Sequence, residues 1–491
     1  MTIKREVFLG CAIGLTAVTG ANAADLPGKA SPAEYVRICD TYGAGFYFIP
    51  GTDTCLRIGG FVRADYVVNS SAGNRTNPAT GVTSLGTSYF DQLYSTSVRM
   101  TLNFDARSNT EYGLLRAFGQ FSAYRGPFSG SVNSQGLING GVGQSPRASA
   151  INVERAFIQF AGFTAGFSSS FFNFYQGDLQ YSGSFATTAR GTTVLAYTAS
   201  LGSGFSASVA IEDSMYRRHG NGDVFLDGAA GPNQVPLSRP LSGLYGLTYG
   251  PQKLPDIVAN LRVDQAWGSA QLMGALHQLT DVGWNAAPVT TAGGRNFGAP
   301  IAAAGDKLGW VVGGGVRLNL DMLARGDVLW LQAVYANGAL DYAFSVGNQG
   351  GDREGIYGAG NLAGVNALNT QLRDGIVNTA SATPTIQTTK AWSVAAGFRH
   401  FWTPALRSAI FGSYSKIDQP AASSLWNLKY ATVGVNTIWS PVRNLDLGLE
   451  LVYHNIQART QAGGIPIITP SSTPRGSEGA WVATARVQRN F

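Results

Sequence analysis

The sequence has little of the chemistry from which catalytic and metal sites are built. Of its 491 residues only 3 are Cys and only 4 are His, and the histidines are scattered at His219, His277, His400 and His454. No Ser of a Gly-x-Ser-x-Gly pattern has the nearby His and acid that a hydrolase nucleophile requires. The glycines of 358–364 have the wrong spacing for a nucleotide-binding loop. We therefore expect no enzymatic activity, no metal site and no other cofactor.

Long apolar runs and charge are also scarce. After the first residues no apolar segment is long enough for a transmembrane helix, which excludes a helical membrane protein. Charged residues make up 13% of the chain and the formal net charge is +6. No run of Lys and Arg forms the basic stripe that a nucleic-acid groove needs, so nucleic acid is not expected as a partner.

The N-terminus carries the pattern of a secretory signal peptide. Lys4 and Arg5 precede a mostly apolar stretch, residues 7–18, and Ala21-Asn-Ala23 is a small-residue cleavage site. A lipoprotein site at Cys11 would leave almost no apolar core before the cysteine. We therefore expect residues 1–23 to be a signal peptide and the chain to be exported.

Export bears on the two cysteines that remain after cleavage, Cys39 and Cys55. An isolated pair in an oxidising compartment favours a disulfide, whereas a metal site would need further ligands. The sequence therefore predicts a disulfide in the segment 24–55, which we expect to lie in the periplasm.

The last residues alternate strictly between two faces. Trp481, Ala483, Ala485, Val487 and Phe491 fall on one face of a predicted strand, and more polar residues fall on the other. A closing strand that ends on an aromatic residue is typical of transmembrane β-barrels. The composition, with 63 Gly, 25 Phe, 20 Tyr and 9 Trp, also suits short aromatic strands joined by glycine-rich turns.

The alternation recurs along the chain and predicts sixteen antiparallel strands between residues 56 and 491. Connections after even-numbered strands are short, and most of those after odd-numbered strands are long, such as 125–150 and 342–388. This asymmetry is typical of barrels with short periplasmic turns and long external loops. Gly313-Gly-Gly315 lies within a predicted strand and is interpreted as a bend or bulge.

Three segments resemble the general porins of rhizobial and Brucella-type alphaproteobacterial outer membranes. They are EYVRICDTYGAGFYFIPGTDTCLRIGGFVR at 34–63, VERAFIQFAGF at 153–163 and NLRVDQAWGS at 260–269. The resemblance implies a homotrimeric outer-membrane channel, in contact with lipid and lipopolysaccharide, through which small hydrophilic solutes and ions diffuse. It also implies that the third external loop, 171–190, folds into the pore.

Arginines on the first four strands form a candidate pore constriction. Arg63, Arg99, Arg116 and Arg155 are expected at similar heights near mid-barrel, opposite Asp178 in the constriction loop. Such a ring would give a weak preference for anions. The alternative is that the arginines pair with lumen acids such as Asp65, Asp105 and Glu450 and leave no net field.

Two other functions remain open. One is a substrate-specific channel for sugars or anions; a sugar-specific channel would present a row of aromatic residues to its solute, and 171–175 is aromatic, although these residues are interpreted as anchors of the loop. An outer-membrane barrel enzyme is the lesser alternative. Only about thirty residues separate the predicted cleavage site after Ala23 from the first strand, which is too few for the plug of an energy-coupled receptor.

Overall fold

The computed structural model describes residues 37–69, 75–76, 83–84, 94–132, 138–181, 186, 191–218, 244–246, 252–281, 305–344, 372–378, 385–420, 426–460 and 478–491. The predicted signal peptide, residues 1–23, lies outside these ranges, as do 24–36 of the predicted periplasmic segment and 182–185 and 187–190 of the predicted constriction loop. Among the described residues no helix is both long and apolar enough to cross a bilayer.

Sixteen long strands form one antiparallel sheet that closes on itself. Each strand pairs with its neighbours in chain order, and the last strand pairs with the first. The strands are β1 (Cys55–Asn69), β2 (Tyr94–Thr110), β3 (Gly113–Val132), β4 (Ile138–Phe160), β5 (Phe163–Ser169), β6 (Gly191–Gly202), β7 (Phe205–Glu212), β8 (Asp256–Gln265), β9 (Gly268–Thr280), β10 (Asp306–Asn319), β11 (Val328–Asn337), β12 (Lys390–Thr403), β13 (Leu406–Asp418), β14 (Trp426–Val442), β15 (Leu445–Thr460) and β16 (Glu478–Asn490). The predicted sixteen-stranded barrel is confirmed.

The alternation of the sequence decides which side chains face outward. In β16 the side chains of Trp481 and Val487 are 48% and 49% exposed, whereas Val482 and Thr484 are 0% and 3% exposed. Successive side chains of a strand point to opposite faces, so the exposed set forms an apolar outer surface. Lipid covers such a surface in a transmembrane barrel.

The two ends of the barrel differ, and we call them the turn end and the loop end. Six of the seven connections at the turn end have two residues, namely 111–112, 161–162, 203–204, 266–267, 404–405 and 443–444. Both residues of the 161–162 turn have positive φ, 48° at Ala161 and 86° at Gly162. Positive φ at both positions is typical of two-residue hairpin turns, because the twist of such a turn matches the twist of the two strands that it joins. The long connections, such as 213–255 and 338–389, are all at the loop end.

One predicted loop is wrong. Residues 125–150 were expected to connect the third and fourth strands, but β3 and β4 continue as a hairpin in which Val132 pairs with Ile138. This stretch is rich in Gly and Ser, which have low strand propensity. Backbone hydrogen bonds to the partner strand do not depend on side chains. They extend the pairing of β3 with β4 beyond the residues that alternate between apolar and polar.

The predicted disulfide is present between Cys39 and Cys55, whose Cα atoms are 6.0 Å apart. Both cysteines are buried with Phe46 in a small cluster at the turn end. The Arg107 guanidinium lies 4.9 Å from the centre of the Phe46 ring, and the Tyr42 hydroxyl donates to Asn109 Oδ1 over 2.8 Å. The disulfide therefore holds the segment before β1 against the ends of β1 and β2.

The inner face of the barrel carries an apolar cluster on one side. Inward-facing residues of β6 to β15 belong to it, together with residues from two inward-folded segments, 172–175 and 339–344. On β1 to β4, by contrast, the buried inward-facing residues are mostly polar or charged. The inner wall therefore has two sections. One is apolar and is covered by 172–175 and 339–344, and the other, on β1 to β4, is charged.

Candidate functional site

The structure describes 170–181 and 186 of the connection after β5, and 170–181 folds into the barrel instead of projecting from it. We call 170–181 the inner loop. Phe172, Phe174 and Tyr175 are 0%, 4% and 1% exposed, and they contact the wall of the barrel. These aromatics are therefore anchors of the loop, as interpreted from the sequence, and do not form a surface for stacking sugars.

Polar side chains of five strands fix the backbone of the inner loop. Its carbonyl oxygens accept from amide side chains and its N–H groups donate to side-chain oxygens, over 2.6–2.8 Å. The bonds are Phe171 N–H to Glu212, Asn260 to the Phe171 carbonyl, Tyr175 N–H to Gln332, Asn436 to the Leu179 carbonyl, and Tyr181 N–H to Glu450. Because buried backbone groups that do not pair within the loop need other partners, these side chains determine its path from β7 to β15.

Three inward-facing glycines make room for the aromatic rings of the inner loop. Phe174 lies against Gly315 of β10, Tyr175 against Gly397 of β12, and Tyr181 against Gly448 of β15. At Gly397 an added Cβ would come 2.7 Å from the Tyr175 hydroxyl, and it would overlap the ring at the other two positions. These glycines therefore set how closely the inner loop approaches the wall.

The bulge that was one interpretation of Gly313-Gly-Gly315 is not formed. The pairing of β10 with β9 and with β11 continues through these residues without a change of register. Gly315 is needed because Phe174 occupies the space of its missing side chain. Only the path of the inner loop reveals this requirement.

The structure brings two of the predicted constriction arginines together. Arg63 and Arg99 are direct partners across β1 and β2. They are only 7% and 2% exposed, and each forms an ion pair with a carboxylate: Arg63 Nε lies 3.2 Å from Asp65, and Arg99 pairs with Glu154. Their charges are therefore partly compensated, as the alternative from the sequence expected.

The other two predicted arginines lie at different depths. Arg116 pairs with Arg107 of β2, eight residues from Arg99 towards the turn end, and its guanidinium bonds both oxygens of Asp105 at 2.9 and 3.0 Å. Eight residues of a tilted strand correspond to roughly 20 Å of height. Arg155 pairs with Gln120, between these two levels. A single level band of four arginines is therefore not formed.

Asp178 is the acid that the inner loop contributes to the lumen. Its side chain is exposed, although the barrel surrounds it. This enclosure raises the pKa of the Asp178 carboxyl, and the positive charges of Arg317, Arg399 and Arg155 partly offset the rise. Arg317 and Arg399 lie on β10 and β12, whereas Arg155 lies on β4. Asp178 therefore faces positive charge on both sides of the lumen.

Sequence reasoning missed Arg486 and Tyr181. The Arg486 guanidinium bonds Asp65 and lies 4.0 Å from the centre of the Tyr181 ring. Burial raises the pKa of the Tyr181 hydroxyl to about 12, despite the charge of Arg486, so this hydroxyl is neutral. The alternation of the sequence places Arg486 on the inward face of the last strand. It does not identify Asp65 and Tyr181 as the partners of Arg486, because only closure of the barrel brings them together.

Comparison with known proteins assigns the family. Residues 25–478 match the family described as the Porin subfamily. The chain belongs to this porin family. Porin Omp2b of Brucella suis biovar 1 (strain 1330) is 31% identical over 274 residues, which are 55% of this chain and 64% of that porin. Porin Omp2a of Brucella melitensis biotype 1 is 33% identical over 225 residues, 43% of this chain and 56% of that protein.

The matches to the two Brucella porins span less than two thirds of their length. A solved structure, the outer membrane channel DcaP of Acinetobacter baumannii, superposes with a TM-score of 0.55 at 15% identity, over 90% of this chain and 99% of DcaP. This likeness concerns the fold. Family and fold together make the chain a β-barrel protein of the outer membrane, and the predicted family is confirmed.

Proposed function

We propose that this porin is a passive, water-filled diffusion channel for small hydrophilic solutes and ions. The observation that carries the proposal is the exposed Asp178 carboxylate, which lies on a loop inside a closed barrel. A sixteen-stranded barrel is too wide for side chains to fill, so water reaches such a group through the lumen. The charged residues Arg155, Arg317 and Arg399 around it suit a hydrated path.

Conductance of the purified protein in a planar bilayer tests this function. We expect discrete, permanently open channels, and no increase in bilayer conductance from a folded preparation would contradict the proposal. Liposome swelling measures the flux of a sugar through the protein, and the dependence of this flux on sugar concentration separates a general channel from a substrate-specific one. Flux that rises linearly with concentration supports a general channel, and saturable flux supports a specific site.

The burial of the loop aromatics argues against a sugar-specific channel. Phe172, Phe174 and Tyr175 are covered by the wall and cannot form a stacking surface for a passing sugar. We propose no catalytic role, because the matching relatives are named porins. Hydrolysis of lipid esters by the purified protein, without ion conduction, would support the enzyme alternative instead.

We further infer a homotrimer in contact with outer-membrane lipid and lipopolysaccharide. The support is family membership and the small outward-facing residues on β3 and β16, the strands that flank β1 and β2, which permit close packing: Ala117, Gly119, Ala483 and Ala485. The mass of the detergent-solubilised particle tests this inference. A particle that contains one chain would contradict it.

A further inference from the structure

A second part of the chain is folded into the barrel, near the loop end. It follows β11 and consists of 339–344, which we call the outer segment. All six of its residues are at most 1% exposed, including the charged Asp341. It shares a buried cluster with inward-facing residues close to the ends of their strands, namely Ala336, Ala391, Ile417 and Leu428. The outer segment therefore lies between the inner loop and the loop end.

Tyr342 connects the outer segment to both the wall and the inner loop. Its hydroxyl donates to Oδ2 of the buried Asp256 on β8 over 2.7 Å, and the other oxygen of Asp256 lies 2.8 Å from His277 Nδ1. Its ring meets the edge of Phe172 at 4.8 Å between centroids. The Arg217 guanidinium lies 3.9 Å from the centre of the same ring. Tyr342 is thus held on three sides.

Further contacts fix the two ends of the outer segment. The Leu340 N–H donates to Asp374 Oδ1 over 2.7 Å, and Asp341 lies 3.4 Å from Arg217. On the opposite wall Phe344 meets Tyr430 of β14 at 5.8 Å between ring centroids. The outer segment therefore reaches from β8 to β14 across the inner face.

The residues beneath this segment suit a dry surface. The inward-facing residues Val258, Val311, Val334, Ala336 and Ala391 are apolar and at most 3% exposed. Apolar surface exposed in a water-filled lumen is unfavourable in proportion to its area. Inward positions of a simple aqueous pore are polar and wet, so these buried apolar side chains are consistent with a permanent cover.

We propose that the outer segment is a second constriction element, held by Tyr342. It fixes the inner loop from the loop end and covers the part of the inner face of β7 to β14 that lies near the loop end, so that at this height the path runs beside the remaining, charged wall. This inference rests on the proposed function, because it concerns the route that solutes take.

Thiol labelling tests the position of the outer segment without any measurement of transport. Cys39 and Cys55 are joined in the disulfide, so a single introduced cysteine can be followed. Leu340→Cys, at a buried position, is compared with Met215→Cys, whose native side chain is 64% exposed near Arg217. We expect a maleimide to label Leu340→Cys at least about tenfold more slowly, because labelling requires local opening. Equal labelling rates would overturn the proposal.

Conductance tests the consequence for transport. We expect Tyr342→Ala to raise the single-channel conductance by up to about twofold and to admit larger sugars, because the lumen widens. Tyr335→Ala, on the outer face of β11, is the control and should leave both unchanged. A conducting wild type with an unaltered Tyr342→Ala channel overturns the inference. A wild type without conductance contradicts the proposed function instead, and the labelling experiment then decides on the outer segment alone.

Discussion

The Arg486 guanidinium donates two hydrogen bonds to the Asp65 carboxylate, at 2.6 and 3.1 Å, across the seam where β16 meets β1. The two residues are direct partners in the sheet although 421 positions separate them in sequence. Asp65 also lies 3.2 Å from Arg63, so one buried carboxylate forms ion pairs with two guanidinium groups. The pair therefore links barrel closure to the charge of the lumen wall.

We expect Asp65→Asn to weaken the seam. The substitution leaves Arg63 and Arg486 buried without the carboxylate that they share, and breaking a buried ion pair costs about 3–5 kcal/mol. Urea unfolding in lipid vesicles, followed on gels that separate folded from unfolded barrel, measures the loss. Asp264→Asn is the control, because Asp264 is half exposed and pairs with Arg262 at the turn end. Equal unfolding of the two variants would show that the seam does not depend on Asp65.

Two neighbouring glycines of β10 test the fit of the inner loop. Gly315 faces inward against Phe174, whereas an added Cβ at Gly314 would have its nearest neighbour at 3.7 Å. We expect Gly315→Ala to displace the inner loop, to alter conductance and to cost about 1–3 kcal/mol of stability through overpacking. Gly314→Ala should change neither. If the two variants conduct alike, the glycines do not position the loop.

The strands and the disulfide could be predicted because each depends on local pattern or on export. The alternation in β16 agrees with the exposure of Trp481 and the burial of Val482. Glu154, the partner of Arg99, could not be found in this way. The register of β3 and β4 shifts between Gln120 and Phe121, so that Glu154 and the adjacent Arg155 are both turned from the outer face. A bulge breaks the two-residue period on which the prediction relied.

The remaining misses have a common physical cause. Gly315, Tyr181 and Arg486 have roles set by contacts between the inner loop and strands far away in sequence. The sequence could place the loop in the lumen only through the family resemblance, and it could not give the path. That path depends on hydrogen bonds from single polar residues on separate strands, which carry no local pattern.

The disulfide should be protected in the native protein and unnecessary for the barrel. Cys39 and Cys55 are joined in a disulfide and have no thiol to alkylate, so we expect no labelling until a reductant is added. Cys39→Ser with Cys55→Ser should leave the folded barrel intact, because inter-strand hydrogen bonds close it independently. The change should be confined to faster proteolysis before β1. Loss of the folded form on gels would contradict this expectation.

The selectivity of the pore should depend on pH through Asp178. Its pKa is raised because the surrounding barrel reduces its solvation, so on acidification it takes up a proton at a higher pH than an ordinary Asp. Protonation removes a negative charge that faces Arg155, Arg317 and Arg399, and the positive wall then favours anions more strongly. Reversal potentials in a KCl gradient should therefore shift towards anions as the pH falls through this raised pKa.

Asp178→Asn should show the anion-shifted value already at neutral pH and lose this transition. Asp446→Asn removes a different lumen carboxylate, which pairs with Arg407 at 2.8 Å, and should retain it. If Asp178→Asn keeps the pH dependence of the wild type, another group controls the selectivity.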